Sequence, residues 1–213
     1  MIEIIPGILE NDFAKIEHEI ELVQRYVSWI EIDVLDNTLY PNQTYDKWAD
    51  FRKFTEIKLG AHLMVSDPAK YVDILAAHGF KRLIADIGGH SIRDFIDSAR
   101  LHEIEVGVAL DGPTPIEEVE PYLHEVDTVL LMTIKTGFSG TPFLPQVLDK
   151  IKKIRAEFPD LPIQVDGGIN KETAREVIDA GATRLVSTSY LFWKNPQRIQ
   201  EAIEELRGEE VKF

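Results

Sequence analysis

Eight alternations of a strand-like segment with a helix-like one, joined by short connections within 213 residues, predict a single (β/α)8 barrel occupying positions 1–213 as one domain. Two further observations support that fold class. Three of the strand segments, 29–36, 59–65 and 162–168, are apolar on one face and carry ionisable groups on the other, as walls around a functional interior would. The competing architecture, a doubly wound open sheet, is marked by a G-x-G-x-x-G turn after its first strand, and the chain lacks it.

Taken in order, the strands fall near 3–9, 29–36, 57–65, 82–87, 105–111, 128–134, 162–166 and 184–189, where β-branched and apolar residues cluster or alternate. Helical patterns follow at about 12–26, 44–54, 67–79, 91–103, 115–125, 143–158, 171–180 and 196–207. Asp67-Pro68 and Asn195-Pro196 place proline at a first helical turn, and Ser91 and Asn170 are expected N-caps. Gly79 and Gly181 stand where helices should stop. No linker or low-complexity stretch interrupts the count.

Composition narrows the function classes. A net charge of −14, with no cluster of Lys and Arg interleaved with aromatics, argues against nucleic acid as a partner. Any bound phosphate must then be held mainly by backbone N–H groups and helix ends. The absence of cysteine excludes disulfides and thiolate chemistry and agrees with a reducing compartment. No apolar run approaches the roughly 18 residues of a membrane span, and no basic segment precedes a long apolar one at the start. A cytoplasmic protein with no membrane partner is expected.

The ionisable strand faces need an explanation. Ile30, Ile32 and Val34 share one face, leaving Glu31 and Asp33 on the other. The same alternation sets His62 against Leu59, Ala61, Leu63 and Val65, and sets Gln164 and Asp166 against Ile163 and Val165. A buried charge without a partner is prohibitive, whereas a paired or metal-bound one is tolerated. In a barrel the active site lies at the C-terminal ends of the strands, and Asp33, His62 and Asp166 fall late in theirs. The four groups Glu31, Asp33, His62 and Asp166 should therefore converge at one mouth. One imidazole and three carboxylates make a site for a divalent cation, with Zn, Mn and Fe all open and the harder metals slightly favoured. Two carboxylates flanking a substrate could also exchange protons with opposite faces of one carbon, while a cation steadies the enediolate between the two steps. That combination describes epimerisation beside a ketone.

Plainer readings compete. Glu31 could instead pair with Lys58, which shares the interior face of its strand, and His62 could be a satisfied core histidine. Asp36 and Asn37 read as turn and cap residues. Gly137, Phe138, Ser139 and Gly140 follow the sixth strand, Gly167 and Gly168 follow the seventh, and Ser187, Thr188 and Ser189 end the eighth. Loops after strands seven and eight of such barrels commonly hold phosphate, although paired glycines also serve as ordinary turns.

From Pro6 to about Phe192 the chain resembles the ribulose-phosphate 3-epimerase family. The resemblance is carried by Pro6-Gly-Ile-Leu9, by Ile32-Asp-Val-Leu-Asp-Asn37 with Pro41-Asn42, by His62-Leu-Met-Val65, by Leu131-Met132 leading to the glycines of 137–140, and by Val165-Asp-Gly-Gly-Ile-Asn170. It implies a metal-dependent isomerase interconverting D-ribulose 5-phosphate and D-xylulose 5-phosphate, a small-molecule sugar phosphate being its partner. It implies acid/base roles for Asp33 and Asp166, metal ligation by Asp33, His62 and Asp166, and site-lining roles for Met64 and Met132. Members often self-associate, so a homo-oligomer is compatible with the resemblance.

The departures are specific. Glu31 replaces the family's first ligand histidine, Gly7 a substrate-contacting serine, Leu35 a third methionine, and Lys135-Thr136 an Asn-Pro pair. Thr188 replaces a glycine of the phosphate site, and Ser189 is retained. These changes leave two alternatives: the same chemistry on another sugar phosphate or on an anion met by Lys135, or a degenerate barrel that binds a phosphorylated metabolite without turnover.

Overall fold

The computed structural model describes residues 2–136 and 141–208. Eight parallel strands, β1 (Glu3–Ile8), β2 (Trp29–Val34), β3 (Lys58–Leu63), β4 (Phe80–Asp86), β5 (Glu105–Leu110), β6 (Thr128–Met132), β7 (Ile163–Asp166) and β8 (Arg184–Ser187), pair in sequence order. The barrel closes through β1 and β8. The observed strands match the expected ones in number and order, with no end displaced by more than two residues.

Alternation in each strand separates two apolar regions. Ile30, Ile32, Val34, Leu59, Ala61, Leu63, Ile163 and Val165 join the large core between the barrel wall and the outer layer. Smaller clusters, Ile84–Ala109–Leu130–Met132–Ile134 and Ile5–Trp29–Val186, lie apart from it and fill the interior. The N-terminal end of the barrel is closed by charge. Arg82, 1% exposed, lies 3.0 Å from Glu105, and Arg184 lies 3.2 Å from Glu3 and also pairs with Glu105. The Arg82 guanidinium stacks 3.9 Å from the centroid of the Trp29 ring.

Among the described residues six α-helices cover the wall: α1 (Phe13–Val23), α2 (Ala69–Ala77), α3 (Ile92–Leu101), α4 (Val147–Glu157), α5 (Lys171–Ala180) and α6 (Ile199–Arg207). Two expected α-helices are absent. At 44–54 the chain forms a 3-10 helix, Trp48–Lys53. Trp48, Phe51 and Phe54 recur every three residues, the period of that tighter helix, and Phe51 packs against Phe13, Trp48, Phe54 and Phe80. At 115–125 Pro121 removes an N–H in mid-segment, and only two short 3-10 turns remain, Ile116–Glu118 and Glu120–Tyr122.

Asn170 caps α5 through a full capping box, and Gly181 ends that helix at φ 119°. Gly79 takes φ +92° just beyond α2, as a helix stop should. Two cap expectations fail. Ser91 precedes α3 in a left-handed conformation and makes no capping hydrogen bond. Pro196 is not in the first turn of α6, because a π-helical turn, Tyr190–Lys194, intervenes and Asn195 donates back to the Tyr190 carbonyl at 2.9 Å. Among the described residues no helix is long and apolar enough to cross a membrane.

Candidate active site

The parallel register brings the singled-out residues together. Asp33 on β2 pairs with His62 on β3, and Asp166 ends β7 beside Met132 of β6 and Val186 of β8. Glu31 lies one pleat below Asp33, flanked on the neighbouring strands by Gly7 and Gly60, which leave it room. One ligand atom from each of Glu31, Asp33, His62 and Asp166 lies within 4.8 Å of the others, and all four side chains are buried.

Asp33 and Asp166 reach a cavity lined also by Leu9, Met64, Met132, Ile134, Gly167, Gly168, Ile169, Val186, Ser187, Thr188 and Ser189. The sequence-based set is therefore largely assembled here. Glu31 and His62 belong to the same buried donor group, and Gly7 abuts Thr188 and Val186 at its edge. Lys135 is exposed and does not line the cavity. Gly137, Phe138, Ser139 and Gly140 lie outside the described residues.

Local bonding fixes the Asp166 end. Thr133 donates to the Asp166 carbonyl through both its N–H, at 2.7 Å, and its hydroxyl, at 3.0 Å. Gly167 and Gly168 take φ values of +114° and +65°, and a Cβ on Gly167 would meet Ile134 at 2.3 Å, so glycine is required there. Thr188 donates its hydroxyl to the Gly7 carbonyl at 2.8 Å, and Ser187 donates to the Ile169 carbonyl at 2.9 Å.

Burial governs the electrostatics. It holds His62 down to about 3, so the imidazole is neutral and both its nitrogens lack hydrogen-bond partners. The 3.7 Å approach of His62 Nδ1 to Asp33 is accordingly not an ion pair. Burial raises Glu31 to about 7, against lowering contributions from the Gln164 hydrogen bond and from Arg82 and Arg184. Asp166 rises to about 8 through burial and the Glu31 charge. Asp33 lies well above the ordinary range through burial and the charges of Asp166 and Glu31. Three carboxylates at this spacing cannot all ionise without a compensating cation.

The alternative Glu31–Lys58 pair is not formed. Glu31 stands opposite Gly60, whereas Lys58 is level with Trp29, one pleat or about 7 Å nearer the N-terminal end. Its ammonium lies 5.2 Å from the centroid of the Trp29 ring. Glu31 instead accepts a 2.7 Å hydrogen bond from Gln164. The turn reading of Asp36 and Asn37 holds. Asp36 accepts from Thr38 N–H at 3.1 Å and from the Tyr71 hydroxyl at 2.8 Å, and Asn37 adopts φ 63°.

Several residues of the mouth were not singled out by sequence reasoning. Asp86, at the end of β4, accepts from the Tyr40 hydroxyl at 2.7 Å and from Gly88 N–H at 2.8 Å. Asp111, just after β5, accepts from the Thr136 hydroxyl at 2.5 Å. Their late strand positions were the available signal. Gln164 carried one too, sharing the interior face with Asp166.

A model of the ribulose-phosphate 3-epimerase family matches residues 3–192. The chain is 37% identical over 218 residues to a ribulose-phosphate 3-epimerase of Bacillus subtilis, covering 98% of this chain and 99% of that protein. A ribulose-phosphate 3-epimerase of Oryza sativa subsp. japonica, named as the cytoplasmic isoform, is 34% identical, covering 89% of this chain and 87% of its own length. Among solved structures, a 3-hexulose-6-phosphate synthase superposes with a TM-score of 0.74 over 98% of this chain and 99% of its own, at 20% identity, a likeness of fold.

Proposed function

The chain belongs to the ribulose-phosphate 3-epimerase family, and on that premise we propose that it is a metal-dependent isomerase converting D-ribulose 5-phosphate to D-xylulose 5-phosphate and back. The single observation that carries the mechanism is the pair of buried carboxylates, Asp33 and Asp166, that reach one cavity from β2 and β7.

One carboxylate removes the proton from C3 and the other delivers a proton to the opposite face, so the roles exchange in the reverse direction. Burial raises both carboxyls above their ordinary range, which suits this work, because a carboxyl so raised holds its proton more readily and is a stronger base once it loses it. Met64 and Met132 line the same cavity with apolar surface that excludes water from the deprotonated carbon. Backbone groups of Gly167, Gly168, Thr188 and Ser189, which line the same cavity, are the proposed phosphate cradle.

The donor set fits a divalent cation. Glu31 Oε1, Asp33 Oδ1 and both nitrogens of His62 are buried without hydrogen-bond partners, and neutral imidazole is the ligand form. Glu31, Asp33, His62 and Asp166 would hold Zn, Mn or Fe, with three carboxylates favouring the harder of these. A cation held by these residues would supply Lewis-acid stabilisation of the negative charge that develops when C3 is deprotonated. A cytoplasmic setting and self-association complete the proposal.

A coupled epimerase assay on a panel of ketose phosphates, using chelated and metal-reconstituted protein, tests this reading. Turnover should be fastest with D-ribulose 5-phosphate, fall on chelation and return with metal. Failure to turn over any ketose phosphate with any of the three metals would leave a binding protein without this activity.

A further inference from the structure

Glu31 and Gln164 meet beneath the acid/base pair, each one pleat below the aspartate of its own strand. Gln164 Nε2 donates to Glu31 Oε2 at 2.7 Å, with the two side chains 0% and 1% exposed. The other oxygen, Oε1, has no hydrogen-bond partner, and Glu31 is one of the four residues whose ligand atoms lie within 4.8 Å of one another. The two oxygens of this carboxylate thus do different things.

An ionised carboxylate can only accept hydrogen bonds, so a buried one that ligates through one oxygen needs a donor for the second. The amide of Gln164 is that donor, and among the described residues it gives the only hydrogen bond the Glu31 side chain receives. Little else restrains Glu31 sideways, since its register partners on β1 and β3 are Gly7 and Gly60. A glutamate side chain has more rotatable bonds than an imidazole ligand and loses more freedom on ordering. The tether therefore bears on ligation directly.

We propose that Gln164 is a positioning residue that fixes which oxygen of Glu31 faces the shared donor centre, and thereby sets the affinity of the protein for a divalent cation. This inference rests on the metal reading given above. Outer partners of metal ligands are typically worth about 10- to 100-fold in affinity, and the same range applies here.

Direct titration of chelated full-length protein with Mn2+, reading free Mn2+ by electron paramagnetic resonance, tests the role without reference to activity. The variants are Gln164→Met, which keeps volume but removes the donor, Glu31→Ala, and the double variant. Gln164→Met should weaken Mn2+ binding about 10- to 100-fold, and in the Glu31→Ala background the same change should alter it less than about twofold, within the usual error of additivity. Equal binding by Gln164→Met and wild type overturns the inference, as does an equal loss in both backgrounds. If Gln164→Met does not fold, Gln164→Asn, which withdraws the amide by one methylene, carries the same expectation. Wild-type protein that binds no Mn2+ overturns the metal reading itself, an outcome distinct from failure of the Gln164 role.

Discussion

The Thr188 hydroxyl donates to the Gly7 carbonyl across 2.8 Å, and the same oxygen stands 2.8 Å from where a Cβ on residue 7 would lie. The seam between β1 and the loop after β8 is thus closed by a side chain on one side and can accept none on the other. Val186 Cγ1, at 2.7 Å, narrows the space further.

Gly7→Ser should therefore destabilise the protein by about 1–3 kcal/mol through overpacking. At about 2–4 °C per kcal/mol for a chain of this size, the melting temperature should fall by several degrees. Adding Thr188→Gly should recover part of the loss, because it removes one of the two close contacts. Melting curves of the two single variants and the double variant check this, and equal destabilisation by Gly7→Ser in both backgrounds would contradict it.

Arg82 belongs to the opposite end of the barrel, where it neutralises Glu105 and Glu3. Replacing it with Met would leave carboxylates that are 22% and 29% exposed without one of their two arginines. Removing one partner of a buried pair costs about 3–5 kcal/mol, and partial exposure of these acids places the expected loss at the lower end. The N-terminal face of a barrel serves stability, so epimerase kcat measured below the melting transition should stay within about threefold of wild type, a change of under about 1 kcal/mol. A stable but inactive Arg82→Met would contradict this division of labour.

The metal-free protein should lose stability as pH rises from 6.5 to 8.5. Glu19 and Glu31 are pushed up to about 7 from an ordinary 4.5, and Asp166 to about 8 from 3.8. A folded-state pKa above the unfolded one gives stability that is complete below the unfolded value and is lost as pH climbs through the folded value. His62 works in the other direction. Held down to about 3 from 6.5, it gives stability that is present above 6.5 and is lost only as pH falls toward 3. Over pH 6.5–8.5 the acids therefore set the slope. Melting temperatures measured in chelator should fall across this range. The stabilisation gained on adding Mn2+ should grow, because ligation requires deprotonated carboxylates. A melting temperature in chelator that rises with pH would contradict the account.

Strand alternation made much of this molecule legible. A parallel strand buried on both faces reads as purely apolar, so Glu31, Asp33, His62 and Asp166 stood out, and the count of eight units placed them at one mouth. What the chain hid was pairing between distant strands. Lys58 shares the interior parity of His62, yet it lies a pleat away from Glu31, whose partner Gln164 is 133 residues further on. Only the register shows which residues share a level. The helix at 44–54 misled for a local reason, since aromatics three apart satisfy a 3-10 turn as readily as part of an α-helix. Tyr40–Asp86 and Thr136–Asp111 joined loops to strand ends through contacts with no sequence periodicity.

The central claim is that one of Asp33 and Asp166 takes the proton from C3 and the other delivers a proton to the opposite face of the substrate. Incubating metal-loaded Asp166→Asn with D-ribulose 5-phosphate in D2O and following C3 by proton NMR tests it most directly, with wild type as reference and circular dichroism confirming the fold. Epimerisation, and with it the entry of solvent deuterium into the product at C3, should fall by at least about 10²-fold, the scale of a lost general acid/base. Solvent deuterium entering the xylulose 5-phosphate product at C3 at the wild-type rate would contradict the assignment.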